Sequence, residues 1–158
     1  MQERDLIISE IMMPNQANVE GNIHGGEIMK IMDSCAYAVT RRYARTNVVT
    51  ARVDELQFHQ PIKVGDLVIC SAKIVFAGRS SMEVHVKVLV EDLRSHTPPI
   101  PALSAFFTMV ALDRNSKPAQ IFPLEINTPE EKAAFEAGKA RYDSYKAKRR
   151  CEKKETKA

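Results

Sequence analysis

Tryptophan is absent from the chain, and no apolar run approaches the roughly 18–20 residues that a membrane-spanning helix needs, so no membrane span is expected. Cysteine is scarce. Cys35, Cys70 and Cys151 are odd in number and lack the paired spacing of a zinc site or a disulfide framework, so they read as reduced thiols in a cytosolic protein. The four histidines lack ligand spacing as well, and no metal site is expected. The opening MQERDLIISEIMM carries charge where a signal peptide needs an apolar core, which predicts no export and a cytoplasmic location. No internal repeat is evident. The Gly25-Gly26 pair follows a loop and completes no GxGxxG fingerprint, which argues against a doubly wound nucleotide fold.

A large excess of either charge is also missing. The net charge of +3 is a sum of two unlike parts, because residues 139–158 hold nine Lys/Arg against three Asp/Glu while residues 1–138 hold 14 against 17. The basic character belongs to a tail. Such a tail reads as a solvated helix end, with docking to a membrane or partner as the alternative. No aromatic interleaves with its basic stretch after Tyr145, so a stacking platform for nucleic acid is not supported.

What is present is a chain of 158 residues, 44% of them hydrophobic, enough for one domain with a sizeable core. Residues 5–13 (DLIISEIMM) read as a first strand ended by Pro14, and residues 14–26, rich in Pro, Asn and Gly, as an irregular loop. A helix follows from Glu27 to about Arg45. Its apolar residues at 28, 29, 31, 32, 35, 36, 38 and 39 make a stripe so wide that the helix is expected to be buried on most of its circumference. Asp33 stands in the middle of that stripe, where an ionised acid costs several kcal/mol unless something pairs with it or uses it.

Four strands are expected next, at 48–58, 67–76, 82–91 and 102–112. The third is the clearest, with Val84, Val86, Val88 and Val90 on one face and Glu83, His85 and Lys87 on the other. Thr128 as N-cap before Pro129-Glu130-Glu131 starts a second helix through Tyr145. A strand, a long helix, hairpin-linked strands and a last helix imply an α+β design, an antiparallel sheet wrapped around the first helix. The division expected is a domain over 1–128 and a C-terminal helix with basic tail over 129–158.

Three blocks, MMPNQANVEGNIHGGEIMKIMD (12–33), RVDELQFHQPIKVGD (52–66) and GRSSMEVHVKV (78–88), together resemble the acyl-CoA thioesterases of the hotdog fold, in the acyl-CoA hydrolase branch that includes bacterial short- and medium-chain enzymes and the brain-type cytosolic hydrolase. The resemblance covers roughly residues 5–125. It implies a five- or six-stranded sheet around one long helix, pairing of two chains into a continuous sheet, and frequent assembly as trimers of dimers. It also implies hydrolysis of acyl-CoA to free fatty acid and coenzyme A at the dimer interface, where Asp33 of one chain meets Asn18 of the other. No cofactor is required, since coenzyme A is part of substrate and product.

On that resemblance Asp33 is the base or nucleophile, with an apolar helix face expected to raise its pKa. Without it, Asp33 could equally pair with a core Arg or cap a loop. Asn18 orients water or donates to the substrate carbonyl, although in isolation it is a turn residue; Asn22 is its competitor. Gly25 and Gly26 admit close approach at a helix start, and the Gly26 amide is the oxyanion donor. His24 lies beside the site, as a donor or as a loop residue. Arg79, Ser80 and Ser81 are the expected contacts for the phosphates of coenzyme A, or else a plain hairpin turn, and Arg52 adds to the field. His59, His85 and His96 read as a strand end, an exposed strand face and a loop. A non-catalytic acyl-CoA binder or regulator, and a dehydratase using His24, are the competing functions.

Overall fold

Alternation of β-branched and polar residues builds five strands, and two stretches rich in Ala, Met, Glu and Lys build two helices. The computed structural model describes residues 3–156. Strand β1 (Asp5–Ile11) leads through a single 3-10 turn (Pro14–Gln16) to helix α1 (Gly25–Ala44). Strands β2 (Asn47–Phe58), β3 (Leu67–Ala77), β4 (Ser81–Glu91) and β5 (Ile100–Leu112) follow, and helix α2 (Pro129–Glu155) closes the order. All pairings are antiparallel, in the spatial order β1-β3-β4-β5-β2. The sheet has five strands of the five or six expected and wraps α1, which is the hotdog architecture.

Pleating separates the two faces. Val84, Val86 and Val88 of β4 and Phe107 and Met109 of β5 are fully buried on the inner face, against Ile28, Met32, Cys35, Ala36 and Val39 of α1. Each such large side chain contributes about 1.5–3 kcal/mol on leaving water. The apolar stripe of α1 is narrower than the sequence suggests. Lys30, Asp33, Ser34, Tyr37 and Arg41, at least one in every helical turn, form an exposed stripe along the helix, and Met29 and Ala38 are only half-buried at its borders. Asp33 is thus exposed in the single chain instead of enclosed by hydrocarbon.

The outer face carries α2. Thr128 caps it by accepting from the Glu131 amide at 3.2 Å, the Glu131 carboxylate accepts from the Asn127 and Thr128 amides, and Pro129 occupies the first turn. Arg4 pairs with Glu131 at that end. Phe76 then meets Phe135 and Tyr142 with ring centroids 5.0 and 5.4 Å away. Gly138 is the buried point of the helix; a Cβ there would lie 2.7 Å from Cβ of Phe76, so only glycine lets the two backbones approach this closely. Arg141 makes a two-pronged bond to Glu83. Within the basic tail Arg141, Tyr142 and Tyr145 are drawn in toward the sheet, whereas residues 146–156 are exposed, as in a solvated helix end. His85, expected on an exposed face, stacks instead on Phe106 at 4.4 Å under the same helix.

β2 is an edge strand with register shifts between Thr50 and Arg52 and between Asp54 and Gln57, and Glu55 takes a positive φ of 52° in the second. At the first shift Thr50 pairs with Met109, on the inner face, while Arg52 pairs with Thr108, on the outer face. A β-bulge thus sends two residues that would share a face to opposite sides.

Candidate active site

Three chain segments meet near the start and middle of α1. Phe58, at the end of β2, lies against the helix entry, and a Cβ on Gly25 would come within 3.4 Å of its ring. Gly26 faces open space, with nothing within 4 Å of a Cβ there. As a first-turn residue its N–H has no intrahelical acceptor, so an outward-pointing donor sits at the positive end of the helix dipole. His24 is the N-cap: its carbonyl accepts from the Glu27 and Ile28 amides and its own amide donates to the Gln16 carbonyl, while its exposed side chain makes no capping bond.

The loop before α1 is tied by Asn18. Its Oδ1 accepts from the Glu20 and Asn22 amides at 3.0 and 3.2 Å, and its amide donates to the Asn22 carbonyl at 2.8 Å. Gly21 supplies the positive φ of 78° that this tight turn needs. The turn role and a site role of Asn18 coexist, since the oxygen holds the loop and the exposed Nδ2 is left as a donor. Asn22 is used in the loop and in a bridge to Lys63.

Two turns farther along α1, Asp33 accepts at Oδ1 from the Thr50 hydroxyl of β2 at 2.5 Å. The bond holds the carboxylate and leaves Oδ2 open. Gly26 and Asp33 are seven residues apart, about 10 Å along the axis at 1.5 Å per residue. One thioester carbonyl therefore does not reach both within a single chain, and among the described residues no contact links Asn18 to Asp33.

The turn joining β3 to β4 lies elsewhere, on the outer side. The Gly78 amide donates to the Ser81 carbonyl, and the carbonyls of Ser80 and Arg79 accept from the Ala111 and Ile121 amides at 2.8 and 2.9 Å. The turn is thus braced from behind. Ser80 and Ser81 line a cleft of about 420 Å³ between this turn, β2 and α2, whereas exposed Arg79 is not part of its wall. Arg52 lines the same cleft, its guanidinium 3.3 Å over the Tyr145 ring. On the cleft floor the Glu83 carboxyl is pushed up by burial and drawn back down by Arg141.

Of the residues singled out in the sequence, the structure gathers His24, Gly25 and Gly26 at the α1 entry, Asn18 in the loop before it, Asp33 by itself farther along the helix, and Ser80 and Ser81 in the outer cleft. Two features escaped that reading. Thr50 carries no distinguishing mark, being one β-branched residue among several in its strand. The cleft wall from α2 did carry a signal, the recurrence of Tyr142, Tyr145, Lys146, Arg149, Arg150 and Lys153 every three to four residues. Among the described residues no group of three or more His, Cys, Asp or Glu is placed to hold a metal ion, and no helix is long and apolar enough to cross a membrane.

Comparison with known proteins places these features in context. The family described as "Thioesterase superfamily" matches residues 20–95. The human cytosolic acyl coenzyme A thioester hydrolase is 39% identical over 137 residues, covering 86% of this chain and 36% of that protein, so the chain spans about a third of the length of that relative. An acyl-CoA hydrolase from Staphylococcus aureus, solved with butyryl coenzyme A, coenzyme A and coenzyme A disulfide, superposes with a TM-score of 0.85 at 31% identity, over 99% of this chain and 94% of that one. The same protein has been solved with an asparagine, an aspartate fifteen positions later, and a threonine seventeen positions beyond that each replaced by alanine. A hexameric thioesterase from Yersinia pestis superposes with a TM-score of 0.70 at 33% identity, over 74% of this chain and 94% of that one.

Proposed function

Since this chain belongs to the thioesterase superfamily, we propose that it hydrolyses acyl-coenzyme A thioesters, releasing a free fatty acid and coenzyme A. One observation carries the reading. Asn18, Asp33 and Thr50 stand fifteen and seventeen positions apart, the spacing of the asparagine, aspartate and threonine replaced in the Staphylococcus aureus hydrolase.

In this reading Asp33, steadied at one oxygen by Thr50, takes a proton from water through the other, and the hydroxide adds to the thioester carbonyl. The carbonyl oxygen becomes an anion facing the Gly26 amide at the α1 N-terminus, with the Nδ2 of Asn18 and the ring of His24 beside it. Collapse breaks the C–S bond, and the proton held by Asp33 goes to the leaving thiolate. The axial separation of Gly26 and Asp33 supports dividing these roles between two copies of the chain, in a homo-oligomer with the dimer as its smallest active unit. The exposed stripe of Asp33, Ser34 and Tyr37 and the open edge of β2 are the surfaces such a partner would cover. The chemistry asks for no metal or added cofactor, because the thiolate of coenzyme A leaves without strong acid assistance.

The test is release of free thiol from short- to long-chain acyl-CoAs by wild type and Asp33→Asn at equal oligomeric state. A loss of about a hundredfold to ten-thousandfold in kcat is expected for removal of a general base. Equal activity of the two proteins would make Asp33 a structural acid, and binding of acyl-CoA by wild type without thiol release would make the chain a non-catalytic binder.

A further inference from the structure

The cleft on the outer face has a wall that changes character along one helical stripe. Tyr142 and Tyr145 pack against Phe76 and Arg52 and anchor α2. One turn later the same stripe continues as Lys146, Arg149, Arg150 and Lys153, all lining the cleft. None of these four forms an ion pair with another described residue. They face Arg52 and the hydroxyls of Ser80 and Ser81 across the cleft, whose only acid, Glu83, is already held by Arg141. Four unpaired cations, a fifth in Arg52 that is paired with Asp54, two hydroxyls and no free carboxylate on the walls of a concavity of about 420 Å³ describe a receptor for a small polyanion. A flat surface for a membrane or a polynucleotide would spread these charges over a convex face. Here they converge on a hollow.

Resting on the hydrolase reading above, we propose that α2 supplies the nucleotide grip of this protein: Lys146, Arg149, Arg150 and Lys153 close over the 3′-phosphorylated ADP of coenzyme A, opposite Arg52, Ser80 and Ser81. The helix begins at Pro129, well beyond the segment that matches the family, residues 20–95. Preference for thioesters that carry a nucleotide, over those of bare pantetheine, is then a property of the C-terminal helix. Arg79, outside the cleft, is dispensable for it.

The test uses the full chain and two variants that each lose two positive charges: Arg149→Gln with Arg150→Gln in the cleft, and Lys73→Gln with Lys132→Gln away from it. Calorimetry with adenosine 3′,5′-bisphosphate reads binding without hydrolysis. The cleft variant is expected to bind at least tenfold more weakly, the control variant as wild type does. Kinetically, the cleft variant raises KM for an acyl-CoA at least tenfold with kcat unchanged, and leaves kcat/KM for the matching acyl-pantetheine where it was. Unaltered bisphosphate binding by the cleft variant, an equal loss in the control variant, or an equal loss on acyl-pantetheine overturns the proposal. Wild type that binds the bisphosphate through these arginines yet releases thiol from no acyl-CoA leaves the cleft standing and refutes the hydrolase reading.

Discussion

Replacing Arg141 by methionine isolates the interaction that seats α2. Glu83 has a side chain 5% exposed and receives both a 2.9 Å bond from Nε and a 2.6 Å bond from Nη2 of Arg141, whose own side chain is 25% exposed. Removing one partner of a fully buried pair costs about 3–5 kcal/mol, because the other charge stays behind without compensation. Partial exposure of Arg141 screens the pair, so a loss nearer 2–3 kcal/mol is expected, with some packing on Phe106 lost as well. At about 2–4 °C per kcal/mol for a chain of this size, the melting temperature falls by roughly 5–10 °C.

The pH dependence gives the mechanism its signature. Burial holds the Glu83 carboxyl above its ordinary value in the folded state, so the stability it allows is greatest in acid, below the unfolded carboxylate pKa, and is lost as pH rises through the folded one. Without Arg141 burial pushes the carboxyl up further, so more stability is lost by neutral pH, and Arg141→Met should be nearly harmless near pH 4 and most damaging at neutral pH. Circular-dichroism melts at fixed protomer concentration test this, together with Glu83→Met/Arg141→Met, in which both charges are gone and most of the loss is recovered. A deficit of under 1 kcal/mol, or the same deficit at both pH values, would refute the account.

Thr50→Val removes the hydrogen bond that orients Asp33 while keeping the β-branched shape, and should lower kcat about tenfold with little change in KM; Thr50→Ser, assayed alongside by thiol release, should retain most activity. His85, stacked on Phe106, is held down to about 4 first by burial and then by Lys87 and Arg141. Its contribution to stability is complete above the ordinary histidine value of about 6.5 and is lost as pH falls toward 4. Denaturant titrations across that window should show a slope that flattens in His85→Phe.

The strands and both helices were legible because their signals are local. Alternating valines from 84 to 90 fix a strand and its two faces, and Thr128 before Pro-Glu-Glu fixes a helix start. The surroundings of Asp33 were not. Helical periodicity locates an apolar stripe, but residues such as Met29 and Ala38 count as apolar in a sequence and still sit at the border of the exposed one. The proposed catalytic arrangement rests on resemblance, since nothing local separates Asn18 from a turn residue or Thr50 from its strand neighbours. The outer cleft depends on where α2 lands, which the close fit of Gly138 on Phe76 decides across more than sixty residues of chain.

The bulge at Ala51 has a genetic consequence. The sheet divides the molecule into a side that holds the carboxylate and a side that holds the arginines, and β2 lends a residue to each, Thr50 inward and Arg52 outward. Arg52 comes two residues after Thr50 yet faces the other way, because one supernumerary residue lies between them. Loss of the single codon for Ala51 would delete a methyl group and preserve the reading frame. The ladder would then close up, Thr50 still opposite Met109, Arg52 opposite Thr108 and Val53 opposite Phe107, and ordinary alternation would keep each on its present face. Lineages carrying this strand are therefore expected to tolerate loss of the residue at position 51, whereas a deletion at Thr50 or Arg52 removes a side chain that one face needs.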